Sequence, residues 1–353
     1  MILKKVRIKN ILLRNRFVVS PMCQYSAKNG CPSKWHYKHL DQLSSTGAGL
    51  LMIESTAINK AGRITHNDLC LFNKKQELEL KKLINFLKKN NNTKIGLQLN
   101  HSGRKGSSEV PWIKLNTSLK KRKWLTYAPS AIKKDKNWPI PKELTIKEIE
   151  KIKESFRKCA QRAKRIGVDC LEIHMAHGYL LHQFFSNISN LREDKYGGTL
   201  QKRTRLLIEI ANIVRKEWPK NRILGARITG SDRLQNGISF KDSIYLCKQL
   251  EDSGFDYVCI SSGGILTKTN IKFRKGYNLD LAKKIKKKTN MLVRCTGQLD
   301  NYNFASKIVN NKIIDLVAIG RGFIKNKNFI LINASKNKNI KEIIPKQYQR
   351  CFK

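Results

Sequence analysis

Short, continuous apolar runs alternate with longer amphipathic segments along the whole 353-residue chain. The runs fall at 16–22, 49–57, 94–101, 170–176, 223–229, 257–263, 291–297 and 316–321, and are rich in Val, Ile and Leu. A run without in–out alternation predicts a strand covered on both faces, as in a parallel sheet. Between the runs, periodic segments at 74–91, 145–167, 200–218, 240–254 and 278–289 predict helices. Gly47, Gly167 and Gly254 stand where such helices would end, a position that favours glycine. Strand–helix repeats of this rhythm and length predict an α/β fold: a single (β/α)8 barrel, known as a TIM barrel, spanning 1–353. A doubly wound sheet would more often carry a GxGxxG turn after its first strand, and none stands there.

Two segments break the rhythm. Residues 106–141 carry Trp112, Trp124 and Trp138 with few strand signals, and predict a long loop insertion after the third strand, over the active-site face. Residues 339–353 form a tail beyond the last repeat.

Composition changes this picture little. No apolar run approaches the roughly 18–20 residues that span a bilayer, so no membrane partner is expected. Residues 1–13 lack a secretory h-region and cleavage site. The nine cysteines show no CxxC pairing, which points to reduced thiols in a cytoplasmic protein and to no metal site. Lys and Arg number 71 against 26 acidic residues, a formal charge of +45. Such a field attracts nucleic acid non-specifically. Here, however, the lysines are spread over nearly every predicted helix, whereas a dedicated site concentrates charge and interleaves aromatics. No specific nucleic-acid partner is expected.

Barrel chemistry sits at the C-terminal ends of the strands. The predicted ends present Ser20-Pro21-Met22-Cys23 followed by Tyr25, then Glu54-Ser55-Thr56, Gln98 and Asn100-His101. The fourth presents His174, His177 and Tyr179, the fifth Arg227, and the sixth Ser261-Ser262-Gly263-Gly264. The last two end in Thr296-Gly297 and Gly320-Arg321. Glycines after strands seven and eight let backbone N–H groups approach a phosphate, and Arg321 adds a cation. Arg227 in the barrel mouth needs an anionic partner, either a phosphorylated electron-rich cofactor or an internal Asp or Glu. His174 and His177 have no fitting third ligand for zinc. They could cap loops, or together donate hydrogen bonds to one substrate oxygen, with Tyr179 as proton donor.

At these residues the chain resembles the Old Yellow Enzyme family of NAD(P)H:flavin oxidoreductases, particularly its thermophilic-like bacterial branch. The resemblance is carried by Arg14–Tyr25, Gly96–Lys105, Ala128–Ile132, Glu172–Phe184 and Ser189–Gly198. It implies FMN as cofactor, NAD(P)H as electron donor, and a small enone or nitro compound as substrate. It implies that Ser20, Pro21, Met22, Cys23, Ser55, Gln98 and Arg227 bind the flavin ring, and that Gly297, Gly320 and Arg321 bind its phosphate. His174 and His177 would bind the substrate oxygen, Tyr179 would be the proton donor, and Tyr25 would line the pocket. Arg350 would reach a neighbouring subunit's site, making the protein a homodimer or homotetramer. The chain departs from the family pattern at Ser55, at Asn100, and after Arg350, where Cys351-Phe352-Lys353 replaces a Trp-type ending.

The alternative is another flavin barrel, a tRNA dihydrouridine synthase, suggested by the charge and by Asn29-Gly30-Cys31-Pro32. That string follows the first strand rather than lying deeper in the chain. A dienoyl-CoA reductase would carry a clustered Cys run for an iron–sulfur cluster, which the chain lacks.

Overall fold

The computed structural model describes residues 2–336 and 343–352. Eight parallel strands form its centre: β1 (Phe17–Val19), β2 (Leu50–Ala57), β3 (Lys94–Asn100), β4 (Cys170–Met175), β5 (Ile223–Thr229), β6 (Tyr257–Ser261), β7 (Leu292–Cys295) and β8 (Leu316–Ile319). Each predicted run contains one of them. The sheet closes on itself, because β1 pairs with both β2 and β8. This is the (β/α)8 barrel.

Around it lie α1 (Lys34–Ser44), α2 (Lys74–Asn90), α3 (Ile146–Ile166), α4 (Leu200–Glu217), α5 (Phe240–Asp252), α6 (Leu279–Lys286), α7 (Tyr302–Asn310) and α8 (Phe329–Ser335). Local sequence sets their ends. Asn73, Thr145 and Ser239 cap three N-termini through capping boxes closed by Gln76, Glu148 and Asp242. Gly167 ends α3 at φ +84°, in the left-handed region that glycine tolerates. Among the described residues, no helix is long and apolar enough to cross a membrane.

The main core lies between strands and helices. A second cluster fills the barrel itself, where Val18, Leu50, Met52, Cys170, Ile223 and Leu316 pack with Ile8 and Leu13. Ile8 and Leu13 belong to an N-terminal antiparallel hairpin, Val6–Ile8 against Ile11–Leu13, which plugs the barrel.

The barrel interior also holds a polar knot. The fully buried carboxylate of Glu172 pairs with the equally buried guanidinium of Arg294. It also accepts hydrogen bonds from the Tyr257 hydroxyl (2.9 Å) and the Gln98 amide nitrogen (2.8 Å). Gly225 makes room for this knot, because a Cβ there would sit 2.2 Å from the Tyr257 ring.

The chain from β3 to α3 contains residues 106–141. Ser107–Leu119 doubles back, with Glu109 N–H donating to Thr117 C=O and Leu119 N–H to Ser107 C=O. Strands Tyr127–Ala128 and Lys142–Glu143 pair further along. Trp138 is buried, whereas Trp112 is two-thirds exposed and meets the Tyr25 ring edge-on. Of the tail, 339–342 and 353 lie outside the described residues. Ile343 and Ile344 are buried, Ile343 where Gly47 faces Ile330 and Leu331.

Arg294→Met should lower stability by about 3–5 kcal/mol, because Glu172 is then left as an uncompensated buried charge. Pairing it with Glu172→Gln should recover part of the loss. Urea denaturation of the unaltered protein and the two variants checks this.

Candidate active site

The chain turns sharply after β4. His177 takes φ +58° and Gly178 φ +70°, and a Cβ on Gly178 would lie 2.0 Å from the Gly264 carbonyl oxygen. This turn sets His174, His177 and Tyr179 in one group. His174 Nε2 lies 3.4 Å from His177 Nδ1, and the His174 and Tyr179 rings meet edge-on at 4.9 Å. His174 Nδ1 accepts the Ala176 N–H (3.2 Å), which places the His174 proton on Nε2. His177 Nε2 lies 2.7 Å from Ser261 Oγ. Burial, then the charge of Arg227, pushes both imidazoles well below their ordinary pKa, so both are neutral near pH 7. Burial pushes the Tyr179 phenol up and keeps it protonated.

Beside this group opens a cavity of about 580 Å³, within the range of cofactor pockets. Ser20, Pro21, Met22, His177, Arg227, Gly297, Gly320 and Arg321 all line it. Arg227 Nε and Ser20 Oγ are buried without a hydrogen-bond partner. No carboxylate pairs with Arg227 among the described residues, so the internal Asp or Glu considered for it is not found. At the far end, Gly297 holds φ +129° and Gln298 φ +53°, and both line the cavity.

Cys23 and Tyr25 stand at the edge of the histidine group. Burial, then the charge of Glu54, pushes the Cys23 thiol up, while contacts with the Ser55 backbone and the Tyr25 hydroxyl act the other way. Ser55 follows a β-bulge in β2, where Glu54 is the extra residue. The Glu54 carboxylate accepts the Gln24 N–H and meets buried His36 at 2.9 Å. Gln98 sits at the barrel centre, its amide nitrogen turned to Glu172. Arg350 is exposed and lies outside the cavity of its own chain.

Sequence reasoning assigned no role to three residues that the fold brings here. Lys105, at the end of the 3-10 turn Gly103–Lys105 that follows β3, donates to the His177 carbonyl (2.6 Å) and lies over the Tyr179 ring. Burial, then the charges of Lys134 and Arg104, pushes its pKa down to about 7. Ser261 touches His177, and Tyr277 lines the cavity. Ser261 was visible as a strand end; the other two lie in loops without a local signal.

Residues 2–339 match the model of the NADH:flavin oxidoreductase / NADH oxidase family. The chain belongs to this family. It is 38% identical to an NADPH dehydrogenase of Clostridium acetobutylicum, over 98% of this chain and 97% of that protein. It is 34% identical to one from Bacillus subtilis, with the same coverage. The fold is shared with morphinone reductase (TM-score 0.76, 23% identity, 93% of this chain and 88% of that one). It is also shared with an old yellow enzyme homologue from Zymomonas mobilis (TM-score 0.78, 21% identity, 98% and 97%). The protein is thus an oxidoreductase of the Old Yellow Enzyme family, using FMN with NAD(P)H as electron donor. Its cavity fits that cofactor. Arg227 Nε and Ser20 Oγ are buried without a partner in residues that line it, and Gly297, Gly320 and Arg321 line it as well.

Two outcomes follow. Arg227→Met should leave the FMN-free protein at least as stable while weakening FMN binding by about 10–100-fold, the worth of a charge-assisted hydrogen bond; fluorescence titration with FMN measures it. Lys105 binds its proton less tightly folded than unfolded. Between pH 7 and its ordinary value of 10.5, the unfolded chain therefore holds more protons, and stability of the FMN-free protein rises with pH. Lys105→Met should flatten that rise in melting temperature.

Proposed function

We propose that the protein reduces activated carbon–carbon double bonds, those of α,β-unsaturated carbonyl and nitro compounds, in ping-pong alternation with NAD(P)H oxidation. The observation that carries this reading is the grouping of His174 and Tyr179 around His177, which lines a cavity together with Arg227. When bound, FMN supplies the hydride-carrying centre that NAD(P)H charges and the alkene discharges.

Ser20, Pro21, Met22, Cys23, Ser55 and Gln98 would flank the ring, and Arg227 would offset negative charge at its carbonyl edge. Gly297, Gly320 and Arg321 would hold the phosphate. His174 and His177, both neutral, each offer one N–H to the substrate oxygen. They draw charge toward that oxygen, where it accumulates as the β-carbon receives hydride. Tyr179 retains its proton in this buried setting and delivers it to the α-carbon. Tyr25 shapes the pocket, with Trp112 packed on its outer side.

The same reading places Arg350 in the site of a neighbouring subunit, so that the protein is a homo-oligomer of the thermophilic-like branch. It also places the protein in the cytoplasm. The exposed Lys346, Gln347, Tyr348 and Arg350 of the tail and the free state of the described cysteines support these points.

Replacing both His174 and His177 by Ala should slow turnover of 2-cyclohexenone by about 10²–10³, the cost of lost transition-state donors, while FMN stays bound. Near-normal enone turnover in that variant would overturn the assignment.

A further inference from the structure

We propose that the buried pair His182–Asp232 is the positioning device of this active site: it fixes the turn that carries His177 and Tyr179 by holding His182 in one tautomer. The inference rests on the proposed enone-reductase reading and adds residues to it.

Gly178, between His177 and Tyr179, is held on both sides of its backbone. Its N–H donates to His182 Nδ1 at 2.7 Å, and its carbonyl accepts from the Gln183 amide at 2.6 Å. An imidazole nitrogen that accepts an N–H carries no proton of its own, so the proton of neutral His182 must sit on Nε2. Nε2 lies 3.0 Å from Asp232 Oδ1, so its proton faces the carboxylate, although neither atom completes a hydrogen bond of standard geometry. A carboxylate can only accept, so it favours the tautomer that Gly178 requires.

Asp232 is fixed in turn. Its Oδ2 accepts from Ser186 Oγ (2.7 Å) and from the Ile238 N–H (3.0 Å). Burial pushes this carboxyl up, but His182, Ser186 and Ile238 outweigh that and hold it below its ordinary range. Thr229, at the end of β5, joins the same assembly: its hydroxyl accepts the His177 N–H (3.1 Å) and lies 3.5 Å from His182 Nδ1. His182, Asp232, Ser186, Gln183 and Thr229 are all buried from solvent. None of the His182, Asp232 and Ser186 side chains lines the cavity, so their action on the reaction runs through the turn. The turn needs such support, since His177 sits at φ +58°, a region costly for a residue with a Cβ.

The discriminating variant is Asp232→Asn, which keeps the shape. Ser186 and Ile238 both donate to Oδ2, so the new amide must place its oxygen there and its NH2 toward His182. His182 Nε2 then has to accept, its proton moves to Nδ1, and Nδ1–H confronts the Gly178 N–H. His182→Leu removes the acceptor outright. His182→Asn restores one, because its Oδ1 can take the Gly178 N–H.

The experiment uses the full-length FMN-loaded protein and two readouts: affinity for p-chlorophenolate, an enolate mimic, by calorimetry, and the separate rates of the NADPH and 2-cyclohexenone half-reactions. Asp232→Asn and His182→Leu should retain FMN, bind the phenolate more weakly, and slow the enone half-reaction by about 10², the scale of a misplacement near 1 Å. His182→Asn should recover most of the loss. Wild-type phenolate affinity and enone rate in Asp232→Asn would overturn the proposal. So would equal impairment of His182→Asn and His182→Leu at unchanged melting temperature. Should His182→Leu fail to fold, the isosteric Asp232→Asn still decides. If the unaltered protein does not reduce the enone, the proposed function fails, while the phenolate comparison still tests the pair.

Discussion

Closure of the sheet through β8 and β1 is the constraint on which the rest of the structure depends. Val317, Ala318 and Ile319 pair with Phe17, Val18 and Val19, and this seam brings Gly320-Arg321 beside Ser20-Pro21-Met22 from the opposite end of the chain. The cavity has that seam as one wall. A ring of parallel strands also points every carboxyl end the same way, so eight loops share one face. The N-terminal hairpin plugs the other end, and the Glu172–Arg294 knot lies inside the barrel.

That knot and the site above it follow one rule. A polar group inside a barrel must find a partner, or be left for a ligand to satisfy. Glu172 has Arg294, Tyr257 and Gln98. Arg227 and Ser20, one level nearer the mouth, have unpartnered atoms. The Glu172 carboxylate is thus satisfied within the protein, although Arg294 Nε is not, whereas the unpartnered Arg227 Nε and Ser20 Oγ belong to residues that line the cavity. Around the histidines, burial keeps each group in its uncharged form: two neutral imidazoles and a protonated phenol. Such a set suits stabilising charge that develops on a substrate.

The eight strands were legible in the sequence because each is covered on both faces, which writes an unbroken apolar run. Their ends were less so. The runs continue to 263 and 297, yet β6 stops at Ser261 and β7 at Cys295, because Gly263 and Gly297 adopt positive φ and turn the chain away. The plug strands escaped notice, being three residues each and too short for a periodic signal. Of the site, residues at strand ends could be found from position alone; Ser20, His177, Arg227, Gly320 and Arg321 all line the cavity. Lys105 and Asp232 could not. One curls back from a 3-10 turn onto His177, and the other meets His182 across 50 residues of sequence. Such contacts exist only once the loops share one face.

The central claim is that this face carries out two half-reactions on one bound flavin. Anaerobic addition of NADPH to the purified protein, followed by 2-cyclohexenone, tests it most directly through the visible spectrum. The account predicts flavin bands that bleach with NADPH and return with the enone. Bands that bleach and stay bleached would contradict the assigned substrate class, and a colourless protein that cannot take up FMN would contradict the site itself.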